Sequence, residues 1–286
     1  MMPLSDIKKI GVVGAGTMGQ GIAQVAALHG FDVILFDIDS NVLEKAHQNI
    51  VKNLNKGIEK GKLNESQKIA ALNRILLTDQ FDQLVVDLVV EAIVEKLEVK
   101  KSLFLNLEEL NTPQTILASN TSSIPITRIA NGLQHPERFV GMHFFNPAHI
   151  MKLVEVISGA DTSKETAQLV YELAQKLGKE AVMANDAPGF IVNRVARHFY
   201  VESLKILEEG VADHETIDEL VQSSGFRMGP FALMDLIGVD TNYSVTEAMF
   251  ESFHEDPKFR PSRIQQQKVD AGHHGRKSGK GFYDYS

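Results

Sequence analysis

The sequence predicts an α/β fold, a mostly parallel sheet covered by helices and interrupted by an inserted helical pair, followed by an all-α C-terminal domain. Three observations predict it. Short apolar runs alternate with helix-periodic stretches from residue 8 to about 187. A Gly-rich turn joins the first apolar run to the first helix. Beyond residue 187 helical periodicity continues without a convincing strand.

The first of these stretches, 8–37, reads KKIGVVGAGTMGQGIAQVAALHGFDVILFD. Ile10, Val12 and Val13 form an apolar strand, and Gly14-Ala15-Gly16-Thr17-Met18-Gly19 turns it into a small-residue helix. That helix stops near Gly30, and a second strand over 33–36 ends on Asp37. Gly14 allows the sharp turn, Gly16 clears the approach of a pyrophosphate, and Gly19 lets the helix pack closely. The helix N-terminus offers unpaired N–H groups to phosphate charge. Asp37 lies 18 residues past Gly19, near the spacing of about 20 at which an acid meets a ribose. Its carboxylate accepts from both ribose hydroxyls and repels a 2′-phosphate, and Ile38-Asp39-Ser40 supply no Arg to welcome one. A Rossmann-type dinucleotide-binding domain that prefers NAD is therefore expected.

After Asp37 the apolar residues Leu43, Ala46, Ile50, Leu54 and Ile58 recur three or four apart, predicting a helix over 41–60. Asn64-x-x-Gln67 reads as a capping box that opens a second helix, 69–75. Strands are expected at 87–92, 116–119 and 140–144, then two shorter ones at 153–157 and 181–183, with helices at 96–110 and 163–177. Ala187-Pro188-Gly189 marks a change of character. Pro suits a first helical turn, so a helix is expected over 190–209, with others at 213–222, 230–238, 243–253 and 262–271. The expected domains are 1–187, dinucleotide-binding, and 188–286, helical. The Gly- and Lys-rich tail GHHGRKSGKGFYDYS reads as linker-like.

Composition narrows the function classes. A formal charge of −8 argues against a nucleic-acid partner held by a general basic surface. No signal peptide and no apolar run long enough for a membrane span is read in the sequence. With 0 Cys, disulfides and thiolate metal sites are excluded, in keeping with a reducing cytoplasm. No cluster has metal-ligand spacing, and none is expected.

Reactive groups should follow the strands, because such sheets bind ligand at their carboxyl ends. The strand at 116–119 leads into Asn120-Thr121-Ser122-Ser123, and the strand near Val140 delivers His143, then Phe144-Phe145-Asn146-Pro147. Glu155 sits inside the apolar run KLVEVI, where a carboxylate is costly to bury unless something pairs with it. A nearby imidazole would resolve that cost and have its tautomer fixed in return.

The motifs ASNTSS (118–123), HFFNP (143–147), MKLVEVI (151–157), PGFIVNR (188–194), MGPF (228–231) and GRKSGKGFYDY (275–285) resemble the L-3-hydroxyacyl-CoA dehydrogenase family, most closely its short bacterial 3-hydroxybutyryl-CoA branch. The resemblance covers essentially the whole chain, in order and at matching spacings. It implies that His143 is the acid/base, that Glu155 orients it, and that Ser122 and Asn193 contact the substrate. It further implies cofactor contacts at Ala92, Glu95, Lys100, Asn120, Ser122, Asn146 and Lys277. Lys100 has a second reading, as the partner of Glu95. Lys52, Lys56 and Lys60 share one side of a helix. The resemblance puts coenzyme A contacts on that helical insertion, which selects Lys56 and Lys60 over a merely solvated face. It also implies an acyl-CoA thioester substrate and a homodimer formed through the C-terminal helices. Two alternatives share much of this pattern: a free hydroxyacid or sugar-acid dehydrogenase similar to L-gulonate 3-dehydrogenase, and a non-catalytic relative similar to lens lambda-crystallin.

Overall fold

A strand buried on both faces needs near-continuous apolar side chains, and such runs assemble here into one sheet. The structure, a computed structural model, describes residues 3–286, which divide into two compact units, one ending at Ala187 and the other running over Pro188–Ser286. In the first unit the strands are β1 (Lys9–Val13), β2 (Asp32–Phe36), β3 (Ile75–Thr78), β4 (Leu88–Glu91), β5 (Ile116–Ser119), β6 (Phe139–Phe144), β7 (Leu153–Ser158) and β8 (Glu180–Asn185). They lie in the order β3-β2-β1-β4-β5-β6-β7-β8. The chain winds outward from β1 in both directions, so the order reverses between β1 and β4, the kind of place where an α/β sheet receives a ligand.

Six strands run parallel, from β3 across to β6. β7 then pairs antiparallel with β6, and β8 follows β7 in parallel. Apolar runs do not encode strand direction, so this reversal was not expected. Nor was β3, whose Ile75 continues the apolar spacing of the preceding helix and was expected to end it. The last two strands are also longer than expected, at six residues each.

Helices cover the sheet. α1 (Thr17–Leu28) joins β1 to β2, and its small residues Gly21, Ala23, Ala26 and Ala27 are buried. The inserted pair is α2 (Ser40–Glu59) and α3 (Glu65–Asn73). α2 buries Leu43, Ala46, Ile50 and Leu54, one stripe of an amphipathic helix. At the start of α3 the capping box forms in both directions, Gln67 N–H to Asn64 Oδ1 at 2.9 Å and Asn64 N–H to Gln67 Oε1 at 3.0 Å. α4 (Leu97–Leu110), the five-residue α5 (Ile126–Ala130) and α6 (Lys164–Lys176) complete this unit; α5 was too short to announce itself as periodicity.

The second unit contains α7 (Val192–Glu208), α8 (His214–Ser223), α9 (Pro230–Ile237), α10 (Val239–Ser252) and α11 (Arg263–Asp270). α7 begins later than Pro188 suggested. Gly189 and Phe190 both have positive φ, 72° and 49°, which is incompatible with a right-handed helix start. Tyr200, Leu204, Ile217, Phe231, Met234, Val239 and Phe282 form this unit's core. The tail is no linker. Asp235, 1 % exposed, accepts from the N–H groups of Phe282 and Tyr283, each at 2.9 Å, and from the Tyr285 hydroxyl. Asp218 likewise takes the Tyr283 hydroxyl together with the N–H groups of Phe231 and Ala232.

Candidate active site

The Gly-rich turn stands at the carboxyl end of β1. Gly14 has φ 99°, and a Cβ there would meet the Ala92 carbonyl oxygen at 2.6 Å, so both the turn and the neighbouring β4 end require glycine. A Cβ on Gly19 would lie 1.7 Å from the Gly14 carbonyl oxygen; close packing of helix against turn leaves no room for one. Gly16 differs: a Cβ there would meet nothing within 4 Å. Gly16 is the N-cap of α1 and supplies no side chain to its first N–H groups, those of Thr17, Met18 and Gly19. That combination is an open cradle facing unsatisfied donors, the requirement for a bound pyrophosphate. Asp37 closes the other side. Its Oδ2 accepts from Ala15 N–H at 2.8 Å and its Oδ1 from Asp39 N–H at 3.1 Å. A carboxylate has about four lone-pair positions, so acceptor capacity remains for ribose hydroxyls.

The antiparallel pairing of β6 with β7 sets His143 directly opposite Glu155. His143 Nδ1 lies 2.8 Å from Glu155 Oε2, and both side chains are buried, at 4 % and 0 % exposed. A carboxylate only accepts, so the ring hydrogen sits on Nδ1 and Nε2 keeps its lone pair. Ser122, in the loop after β5, places its Oγ 3.1 Å from that Nε2, and its hydroxyl donates whenever that nitrogen carries no hydrogen. The imidazole is thus oriented from behind by an acid, with Nε2 against a hydroxyl. Asn120, 9 % exposed, braces the same region by accepting from Phe144 N–H at 2.8 Å.

Beneath the Ser122 loop lies a charged cluster of which the sequence pointed to Glu95 and Lys100 but not to Glu91. Glu95 Oε1 accepts from Thr121 Oγ at 2.6 Å, from the N–H groups of Ser122 and Ser123 at 2.9 and 3.1 Å, and from Ser123 Oγ at 3.1 Å. Lys100 is 1 % exposed; its ammonium lies 2.5 Å from Glu91 Oε1 and 3.1 Å from Glu95 Oε2. Burial pushes the Glu95 carboxyl upward, but the Lys100 ammonium and the hydrogen bonds from Thr121, Lys100 and Ser122 outweigh it and hold it below the usual carboxylate range. Of the two readings of Lys100, the structure displays the pairing: the ammonium is turned inward onto two acids. Glu91 was passed over, although the cue that flagged Glu155, a carboxylate on an apolar strand, is equally present in DLVVEA.

Residues 9–187 match the family model described as 3-hydroxyacyl-CoA dehydrogenase, NAD binding domain, and residues 189–285 match the corresponding C-terminal domain. The chain belongs to the 3-hydroxyacyl-CoA dehydrogenase family. It is an NAD-dependent oxidoreductase, and the cradle described above fits that cofactor. Among its relatives, the probable 3-hydroxybutyryl-CoA dehydrogenase of Deinococcus radiodurans is 47 % identical over 97 % of this chain and 100 % of its own length. The 3-hydroxyadipyl-CoA dehydrogenase of Escherichia coli strain K12 is also 47 % identical, but the chain, covered to 98 %, spans only 59 % of that relative's length. A crystal structure of (S)-3-hydroxybutyryl-CoA dehydrogenase from Ralstonia eutropha superposes with a TM-score of 0.94 at 41 % identity, covering 98 % of this chain and 100 % of the other.

The remaining residues singled out in this family member lie on several elements. Lys56 and Lys60 are exposed at the end of α2, Lys60 being its C-cap. His149, in the loop after β6, is held below its usual range by burial and then by the charges of Lys179 and Lys56, so Lys56 and this loop share one positive field. Lys179 donates to the carbonyls of Ala148 and Met151, at 2.6 and 2.8 Å. Asn146 is exposed and joined to Pro147 by a cis peptide bond. Asn193 is the second residue of α7, in the second unit. Lys277, in the same unit, is half-exposed and paired with Asp240 at 2.7 Å. Among the described residues, no group of three or more His, Cys, Asp or Glu is arranged to hold a metal ion, and no helix is long and apolar enough to cross a membrane.

Proposed function

We propose that this enzyme interconverts short (S)-3-hydroxyacyl-CoA thioesters, 3-hydroxybutyryl-CoA first among them, with their 3-oxoacyl counterparts such as acetoacetyl-CoA. The observation that carries the reading is the continuous line Glu155–His143–Ser122, with bonds of 2.8 and 3.1 Å. Oxidation of a secondary alcohol removes a proton from the hydroxyl and a hydride from its carbon. NAD supplies the hydride acceptor. His143 Nε2 takes the proton, Glu155 stabilises the resulting imidazolium, and the C–O bond becomes a carbonyl. In reduction the imidazolium returns the proton to the forming hydroxyl. Ser122 is assigned to hold the 3-oxygen, and Asn193 the thioester end of the substrate.

The remaining assignments belong to the same reading. Gly14, Ala15, Gly16, Thr17, Met18, Gly19 and Asp37 hold the pyrophosphate and ribose; Ala92, Glu95, Asn120, Asn146 and Lys277 line the rest of the cofactor path. Lys56 and Lys60 meet the phosphates of coenzyme A, and the positive field reaching His149 supports that choice. The segment 188–286 is proposed to bring Asn193 as a substrate contact and to form a homodimer, in the cytoplasm and in butyrate-type metabolism. The exposed Val195, Val211, Leu220 and Phe226 support an interface on that unit. The test follows NADH consumption with acetoacetyl-CoA against free acetoacetate. Turnover of the thioester at least a hundredfold more efficient supports the reading; equal efficiency would assign the enzyme to free hydroxyacids.

A further inference from the structure

The reaction gives no direct role to Glu91 or Lys100, yet they form a fully buried ion pair. Glu91 ends β4 and is 0 % exposed. Its Oε1 accepts from Lys100 Nζ at 2.5 Å and from Ile93 N–H at 2.8 Å, and its Oε2 accepts from Ser119 Oγ at 2.6 Å. Stability alone is a weak reason to keep such a pair, because well-packed apolar residues of similar volume do as well or better. The pair does, however, hold an ammonium at a fixed point beneath Glu95, whose side chain is 39 % exposed. That ammonium faces Glu95 Oε2 at 3.1 Å. With it, Glu95 Oε1 gathers four hydrogens from Thr121, Ser122 and Ser123. Ser122 in turn stands 3.1 Å from His143 Nε2.

We propose that Glu91 and Lys100 are positioning residues: their buried pair anchors Glu95, and Glu95 clamps the 121–123 loop so that the Ser122 hydroxyl is held against His143. The chain of contacts runs from the sheet core through one cation and one acid to the reacting hydroxyl. The inference deepens the reading of Ser122 and His143 given above, and rests on it.

Three variants of the full-length enzyme test it, by steady-state kinetics with acetoacetyl-CoA and NADH alongside thermal unfolding. Glu95→Gln keeps an oxygen for the loop donors but sets an amide nitrogen, which only donates, against the Lys100 ammonium that held Oε2; it should lower kcat by about tenfold to a hundredfold, the scale of a small misplacement of a reacting group. Because Glu95 is also assigned to the cofactor path, kcat is read at saturating NADH, where a rise in the KM for NADH does not contribute. Lys100→Met should lower both kcat and Tm, since it strands a buried carboxylate. Glu91→Gln combined with Lys100→Met removes the pair as a neutral unit. It should recover most of the Tm while kcat stays low, because Glu95 still lacks its anchor. Recovery of kcat together with Tm would reduce the pair to a structural one and overturn the proposal. So would a Glu95→Gln variant whose only change is a raised KM for NADH. If Lys100→Met does not fold, the other two variants decide the matter. His143→Gln serves as the control. Wild-type turnover there would sink the underlying site reading, whereas an inactive His143→Gln beside fully active Glu95→Gln and double variants would sink this inference alone.

Discussion

An imidazole works as a base only if its proton sits on the far nitrogen, and at His143 that choice is made by Glu155. The carboxylate 2.8 Å from Nδ1 accepts the ring hydrogen and leaves Nε2 basic. Replacing His143 with Gln keeps a polar group of similar size but no titratable nitrogen. Turnover should fall on the order of 10² or more, while NADH affinity, measured by fluorescence titration, stays within a few fold. Unchanged turnover would remove His143 from its proposed role. At this scale the sequence was informative wherever a residue offended its surroundings. Glu155 among Leu153, Val154, Val156 and Ile157 demanded a partner, and His143 stands opposite it. Glu91 offended equally and was missed, because its partner Lys100 lies nine residues on in a helix whose inward turn no local pattern shows.

Elements carry the next level of constraint. The turn between β1 and α1 works because its glycines stand at different kinds of limit. Gly16 faces open space, whereas a Cβ at Gly19 would lie 1.7 Å from the Gly14 carbonyl oxygen. Gly19→Ala must therefore push helix and turn apart, an overpacking that costs roughly 1–3 kcal/mol. A lowered Tm and a weakened NADH affinity are both expected, and a variant with native values for each would contradict the packing described. The end of α2 makes a separate prediction. Changing Lys56 and Lys60 to Ala should raise the KM for acetoacetyl-CoA more than it lowers kcat, with the difference shrinking as salt is added. An unaltered KM at low salt would return both lysines to solvent. The long elements, α2 with its apolar stripe and the strands flanking the Gly-rich turn, were legible because periodicity and capping agreed. β3 and α5 were not: four or five residues leave no period to detect.

Over the whole chain, what stayed hidden was pairing between distant residues. The tail looked like a linker because Gly and Lys dominate it, yet Asp235 accepts from Phe282 and Tyr283, 47 and 48 residues further on. Asp235→Ala would leave two main-chain donors and the Tyr285 hydroxyl without that acceptor, and should cost at least about 2 kcal/mol. Urea unfolding measures it, and a loss below about 0.5 kcal/mol would mean the tail is not held as described. The fold class was readable at this scale because an α/β chain alternates its patterns visibly, but strand direction was not, and the turn-back from β6 to β7 came from the structure alone. That hairpin-like reversal has a corollary. Because His143 and Glu155 are registered by the main-chain ladder, residues could be inserted into or deleted from the 145–152 segment without altering the separation of acid and base. Slippage by a single position would bring Val154 or Val156 opposite the ring instead, so the pairing of acid with base depends on strand register and not on the length of the connection.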